Sequence, residues 1–217
     1  MKVFIISILS LIPLAIISQG NANMFATKNA LKISIFEFAK EEFQISYERY
    51  FNDRKSSITI MPSVILKDDM ESQKEGWSVM SQYRFYLTHY NKGKNNNFLG
   101  FENYGLYTGV YASYLDFTED YTAYYWDEVN RMSYTKKQTK DISAVEGGVI
   151  VGMQIDFSTR IIMDIYLGGG IKRTDLIDSI NEEPNDDNNN NYYSYGVFDR
   201  EYEGVKPRLG CQLGFTF

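Results

Sequence analysis

The chain has 217 residues but only one cysteine, one histidine and four prolines. A lone cysteine, Cys211, excludes an intrachain disulfide, so the fold must be stable without one. The lone histidine, His89, leaves little of the side chain most often used for acid–base chemistry near neutral pH. After residue 17 no apolar run approaches the roughly 20 residues that a membrane-spanning helix needs. That excludes a helical membrane protein, but not a barrel, whose strands hide their apolar half in alternation. No basic stripe is present, so a nucleic-acid partner is not expected. The formal charge is -6, and it is uneven: eight carboxylates between Asp175 and Glu201 face only Arg200. This acidic tract lacks the D-x-[DN]-x-[DN]-G spacing of a calcium loop and reads as a solvated loop. No metal or cofactor is expected.

The first 22 residues have the form of a cleaved secretory signal. Lys2 is followed by mostly apolar residues from Val3 to Ile17, and Gly20 and Ala22 put small residues where a signal peptidase reads. No cysteine lies near this junction, which argues against a lipid-anchored lipoprotein. Residues 23–217 then make one domain of ordinary size.

What the mature chain has in quantity is alternation. Val145, Gly147, Val149, Val151, Met153, Ile155 and Phe157 form one frame; Glu146, Gly148, Ile150, Gly152, Gln154 and Asp156 form the other. Period-2 patterning this long indicates strand. Eight strands are expected, at about 30–37, 43–51, 57–65, 76–88, 100–115, 142–157, 160–174 and 203–217. An all-β, antiparallel up-and-down barrel follows, with its termini on one side of a membrane. Short connections are then expected at "NDRKS", at the stretch from His89 to about Asn97, and at "STR". The long outer loops fall at about 116–141 and 175–202.

The apolar frames suit lipid. The polar frames carry Gly148, Gly152, Gly168, Gly170, Gly210 and Gly214, which relieve crowding in a narrow interior. Glu48, Arg84, Glu146, Asp156, Asp164, Lys172, Lys206 and Arg208 share those frames, and their mixed signs imply a paired network in the lumen. Tyr107, Tyr111, Tyr166 and Arg84 would obstruct a pore. Phe43 and Trp77 fall near outer strand ends, and Phe51, Phe215 and Phe217 near the opposite ends, as interfacial rings do. The competing fold is a soluble exported lipocalin-like binder with the faces reversed.

The closing "VKPRLGCQLGFTF", with "ISYERYFNDRKSSITI" (45–60) and "YGLYTGVYASYL" (104–115), resembles small outer-membrane β-barrel proteins of the Bacteroidota type. The resemblance implies outer-membrane lipid as surroundings and the barrel assembly machinery as a partner, with Phe215 and Phe217 as the assembly signal. It implies no catalytic site, and an appended peptidoglycan-binding domain is not expected. An enzyme is not expected, since His89 falls on the wrong side and the internal carboxylates face cations. Recognition is placed in the outer segment 116–141, where Tyr121, Tyr124, Tyr125, Trp126 and Tyr134 suit a surface glycan or protein. Replacing Phe217 with Asp should lower the yield of assembled barrel in outer membranes while leaving total expression unchanged. Equal membrane yields from both chains would remove Phe217 from assembly.

Overall fold

The computed structural model describes residues 27–38, 41–68, 72–87, 104–127, 131–158, 160–178 and 200–217. The expected signal segment, His89 and most of the acidic tract lie outside the described residues. Eight strands are present: β1 Asn29–Ser34, β2 Glu42–Phe51, β3 Ser56–Asp68, β4 Ser72–Tyr86, β5 Tyr104–Asp127, β6 Met132–Asp156, β7 Ile161–Asp178 and β8 Gly204–Thr216. Each pairs antiparallel with its sequence neighbours, and β1 pairs with β8 to close the barrel. The closing seam sets Ala30 opposite Thr216 and Ser34 opposite Gln212.

Two expectations need correction. Residues 35–37 do not continue the first strand; Ile35–Phe38 form a one-turn helix, α1, which turns Glu37 inward and leaves Ile35, Phe36 and Phe38 exposed. The expected short connection from His89 to about Asn97 lies outside the described residues. The segment 116–141 is not a loop. β5 and β6 stay paired up to Asp127 opposite Met132, with β4 alongside as far as Tyr121 and β7 as far as Lys140, so that the last six pairs, Thr122–Asp127 with Met132–Lys137, form a two-stranded ribbon. The segment's Thr, Tyr and Trp residues favour strand. Its alternation is weak because polar residues stand on both faces: Asp116, Thr118 and Asp120 in one frame, Glu119 and Tyr121 in the other.

The barrel is apolar outside and polar inside. Val149, Leu167 and Leu209 are exposed by 62%, 59% and 54%, whereas Lys32, Glu48, Arg84 and Asp164 are exposed by 0%. On β6 the frame of outward parity runs ten steps, from Val145 to Ile155, with Val145, Val149 and Val151 exposed and Ile155 covered by its neighbours. At about 3.4 Å a step and a tilt of about 40°, that is roughly 26 Å along the axis, close to the apolar band of a membrane barrel.

Aromatic side chains flank this band. Trp77 and Tyr114 pack at 5.4 Å on the side of the long strands. Tyr83 with Phe85 at 4.6 Å, and Phe215 with Phe217 at 5.9 Å, mark the side of the short turns. Beyond Trp77 and Tyr114 the outward frame turns polar, with Thr118 donating to Asp141 at 2.8 Å and Thr139 to Asp120 at 2.6 Å.

Leu209→Arg sets a cation on the outward frame near the middle of β8. In lipid vesicles the change should cost about 2–4 kcal/mol of stability, read from urea titration of tryptophan fluorescence. A shift within about 0.5 kcal/mol, as on a solvated surface, would put this face in water.

Candidate functional site

Among the described residues, the ion pairs of the interior stack in three tiers from the turn side to the vestibule, and Lys74 pairs with Glu119 at 3.0 Å farther out. In the central tier Lys32 Nζ lies 2.5 Å from Glu48 Oε2 and 2.6 Å from Asp164 Oδ2. Arg84 Nη1 completes the ring, 2.5 Å from Asp164 Oδ2 and 3.4 Å from Glu48 Oε1. Strand parity brings these four together, since each sits on the inward frame of its own strand. Two cations thus face two anions, so the tier is neutral as a unit and no buried charge stands uncompensated.

Hydrogen bonds fill the remaining valences of the tier. Tyr107 donates to Asp164 Oδ1 at 2.6 Å, Ser57 donates to Glu48, and Arg84 Nε donates to Gln82 Oε1 at 2.8 Å. Arg84 also stacks over the Tyr107 ring at 4.5 Å. Gly152 makes room for that ring, because a Cβ there would collide with Tyr107. Gly210 does the same beneath Tyr166. Small residues opposite large ones let the section fill with side chains.

The tier on the turn side is built on Asp156. Arg54 Nη1 lies 3.0 Å from Asp156 Oδ2, and Arg54 Nη2 donates to Thr27 at 2.6 Å. Arg54 belongs to the connection 52–55, where Asn52, Asp53 and Arg54 all have positive φ, between 50° and 63°. Asn and Asp accept that backbone readily, while Arg does so less often. Its bonds to Asp156 and Thr27 hold it there. Tyr50 and Tyr86 link this tier to the centre, each donating to Gln154 at 3.0 Å and touching Glu48.

The third tier faces the opposite mouth. Arg208 Nη2 pairs with Glu146 Oε2 at 2.7 Å, and Tyr111 donates to Glu146 Oε1 at 2.6 Å. Lys172 donates to the Arg200 carbonyl, and Arg200 lies 3.5 Å from Glu42. Glu42, Glu146, Lys172, Arg200 and Arg208, with Lys206 and Met80, line a cavity of about 260 Å³ above the central tier. The space is a vestibule. Below it, side chains fill the lumen.

All eight sequence-derived lumen residues therefore face inward, but as separate tiers rather than one network. Glu48, Arg84 and Asp164 meet; Asp156 stands alone among them on the turn side; Glu146, Lys172, Lys206 and Arg208 surround the vestibule. Sequence reasoning missed Lys32 and Arg54. Lys32 was legible in the alternation of Ala30, Lys32 and Ser34, although β1 is only six residues long. Arg54 was not, because a turn residue has no strand parity.

The proposed recognition residues are placed less completely. Tyr121 is half-buried on the inward frame, donates to Gln138 at 2.7 Å and lies under Lys140 Nζ at 4.4 Å. The backbone register sets Tyr124 opposite Thr135, Tyr125 opposite Tyr134 and Trp126 opposite Ser133. The side chains of Tyr124, Tyr125, Trp126 and Tyr134 lie outside the described residues. At the seam, Phe217 exchanges backbone hydrogen bonds with Asn29 at 2.9 and 3.1 Å, and Phe215 pairs with Leu31 and Ile161.

No protein-family model matches the chain, and no curated protein does. Solved structures similar to it include the following two. The N-terminal β-barrel domain of Pseudomonas aeruginosa OprF is 12% identical with a TM-score of 0.37, covering 88% of this chain and 98% of that one. Acinetobacter baumannii CarO is 9% identical with a TM-score of 0.40, covering 90% of this chain and 100% of that one. The fold assignment stands on the strand pairing itself: the chain is a closed, eight-stranded antiparallel barrel.

Proposed function

We propose that the protein is a non-enzymatic outer-membrane β-barrel that anchors a surface ribbon, with its lumen closed to solute flow. The observation that carries this reading is the inverted polarity of the wall. Exposed Val149, Leu167 and Leu209 ring a core containing fully buried Lys32, Glu48, Arg84 and Asp164. In water that arrangement would expose apolar area and desolvate charge together, both unfavourable. In lipid the outward apolar frame is solvated by acyl chains, and closure satisfies the backbone. A soluble lipocalin-like binder would show the reverse polarity.

The signal-like residues 1–22 and the terminal Phe217 support an outer-membrane address and assembly by the barrel machinery. The central tier supports the closed lumen, since Arg84, Tyr107 and Tyr166 occupy its section. No enzymatic role is proposed, because the described lumen carboxylates are engaged by cations and hydroxyls. Past the aromatic boundary the wall continues, and beyond its pairing with β4 at Tyr121 and β7 at Lys140 the β5–β6 ribbon runs six further residues on each strand, roughly 20 Å of extended chain. Its aromatic tip is the segment offered to a surface glycan or protein.

Heat-modifiable migration of the protein in outer-membrane fractions tests the reading. A band that shifts on boiling and stays with membranes after carbonate washing is expected; a soluble, heat-insensitive protein would overturn it. Asp164→Asn leaves Lys32 and Arg84 with one carboxylate between them. It should cost about 3–5 kcal/mol, read as a lower midpoint of the heat-modifiable transition. An unchanged midpoint would separate the central tier from barrel stability. Replacing Tyr124, Tyr125 and Trp126 together with Ser should spare assembly and weaken surface binding to a glycan array or a protein partner. Unchanged binding would remove the ribbon tip from recognition.

A further inference from the structure

One charged side chain breaks the outward frame of the barrel at the turn side. On β2 that frame reads Phe43, Ile45, Tyr47, Arg49 and Phe51, and Arg49 is exposed. The β1–β2 register sets Asn29 opposite Arg49. Arg49 Nη1 donates to Asn29 Oδ1 at 2.8 Å, and the Tyr47 hydroxyl donates to the same oxygen at 2.8 Å. Asn29 is itself fixed through its backbone bonds to Phe217 at the closing seam. The guanidinium is thus oriented by one neutral acceptor, and no carboxylate pairs with it among the described residues.

The surroundings of Arg49 define its depth. Tyr47 and Phe51 flank it on β2, and both are exposed. Phe217 lies across β1 on one side, and Ile58 pairs with Arg49 on the other. These belong to the aromatic boundary on the turn side, where acyl chains give way to headgroups. Lys28 and Lys55 are exposed at the same rim, where the exposed carboxylate of the adjoining turn is Asp53. An arginine held at this depth meets phosphate, and its planar fork suits two phosphate oxygens at once. The exposed rings beside it lie where the glycerol and upper acyl chain would run.

Resting on the membrane reading above, we propose that Arg49, oriented by Asn29 and flanked by Tyr47 and Phe51, binds the phosphate of one phospholipid on the turn side of the barrel. The chemistry recognised is a phosphate diester carrying acyl chains, distinct from free phosphate by the apolar contacts on either side.

The test uses the full mature chain, delipidated in detergent and titrated by native mass spectrometry. The probes are dimyristoylphosphatidylglycerol, dimyristoylglycerol and inorganic phosphate. A one-to-one adduct is expected with the phosphatidylglycerol and not with the other two. Loss of a charge-assisted contact predicts that Arg49→Gln weakens it by about tenfold. Arg49→Lys should bind between the two, and Lys55→Gln should match the unaltered protein. Equal binding by Arg49→Gln, or equal binding of dimyristoylglycerol, would overturn the proposal. An adduct with inorganic phosphate of similar strength would replace it with a free-anion site. Heat-modifiable migration of each variant is read in parallel, and Arg49→Lys keeps the test informative if the glutamine variant fails to fold. Failure of the membrane reading would look different: the unaltered chain would stay soluble without detergent.

Discussion

The constraint on which the rest of the structure depends is closure of the hydrogen-bonded wall. A sheet with apolar outward side chains cannot leave a backbone edge in lipid, because unpaired N–H and C=O groups there have no solvent to bond. Here the last seam is made by β1, the shortest strand, whose residues Ala30–Ser34 pair with Thr216–Gln212 of β8. The exchange of bonds between Asn29 and Phe217 extends that seam by one residue. Chain segments far apart in sequence must therefore meet before the wall is complete. The seam also carries side-chain consequences: Lys32 on β1 enters the central tier, and Asn29 orients Arg49.

Closure at eight strands sets the interior. The space is too narrow for an aqueous channel and has to be filled by side chains. Filling it with charge requires each tier to be nearly neutral and each oxygen to be bonded, since a half-satisfied polar core is costly. The central tier meets that condition with two cations, two carboxylates and the hydroxyls of Tyr107 and Ser57. Glycine at 152 and 210 accommodates rings from the facing side, so packing and electrostatics are solved by the same alternation.

Much of this was legible in the sequence, for a definite reason. Where one face of a strand is apolar and exposed and the other lines a filled lumen, side-chain chemistry alternates strictly, and the parity of Glu48, Arg84 and Asp164 could be read directly. Legibility failed where that contrast vanished. The pair of segments 116–127 and 132–143 carries polar groups on both faces, so its period-2 signal faded and it resembled a loop, although its Thr and Tyr content favoured strand. Ile35–Phe38 kept apolar residues in a row but turned into a helix, which single-strand patterning cannot foresee. Arg54 reaches the lumen from a turn with left-handed backbone, and Arg49 is an outward charge in a frame otherwise apolar or aromatic. Both break the rule by which the other charges were placed.

The central claim is that the outward frame lies in lipid, and the native Cys211 offers a direct measurement. It is the sole cysteine, lies on the outward frame of β8 between Leu209 and Leu213, and pairs with Ile165 of β7. A nitroxide attached to Cys211 in barrels reconstituted into phospholipid vesicles reports its solvent through collisions with oxygen and with a water-soluble nickel chelate. The account predicts strong relaxation by oxygen and almost none by the chelate. Strong relaxation by the chelate, with oxygen no more effective than in buffer, would place this face in water and contradict it.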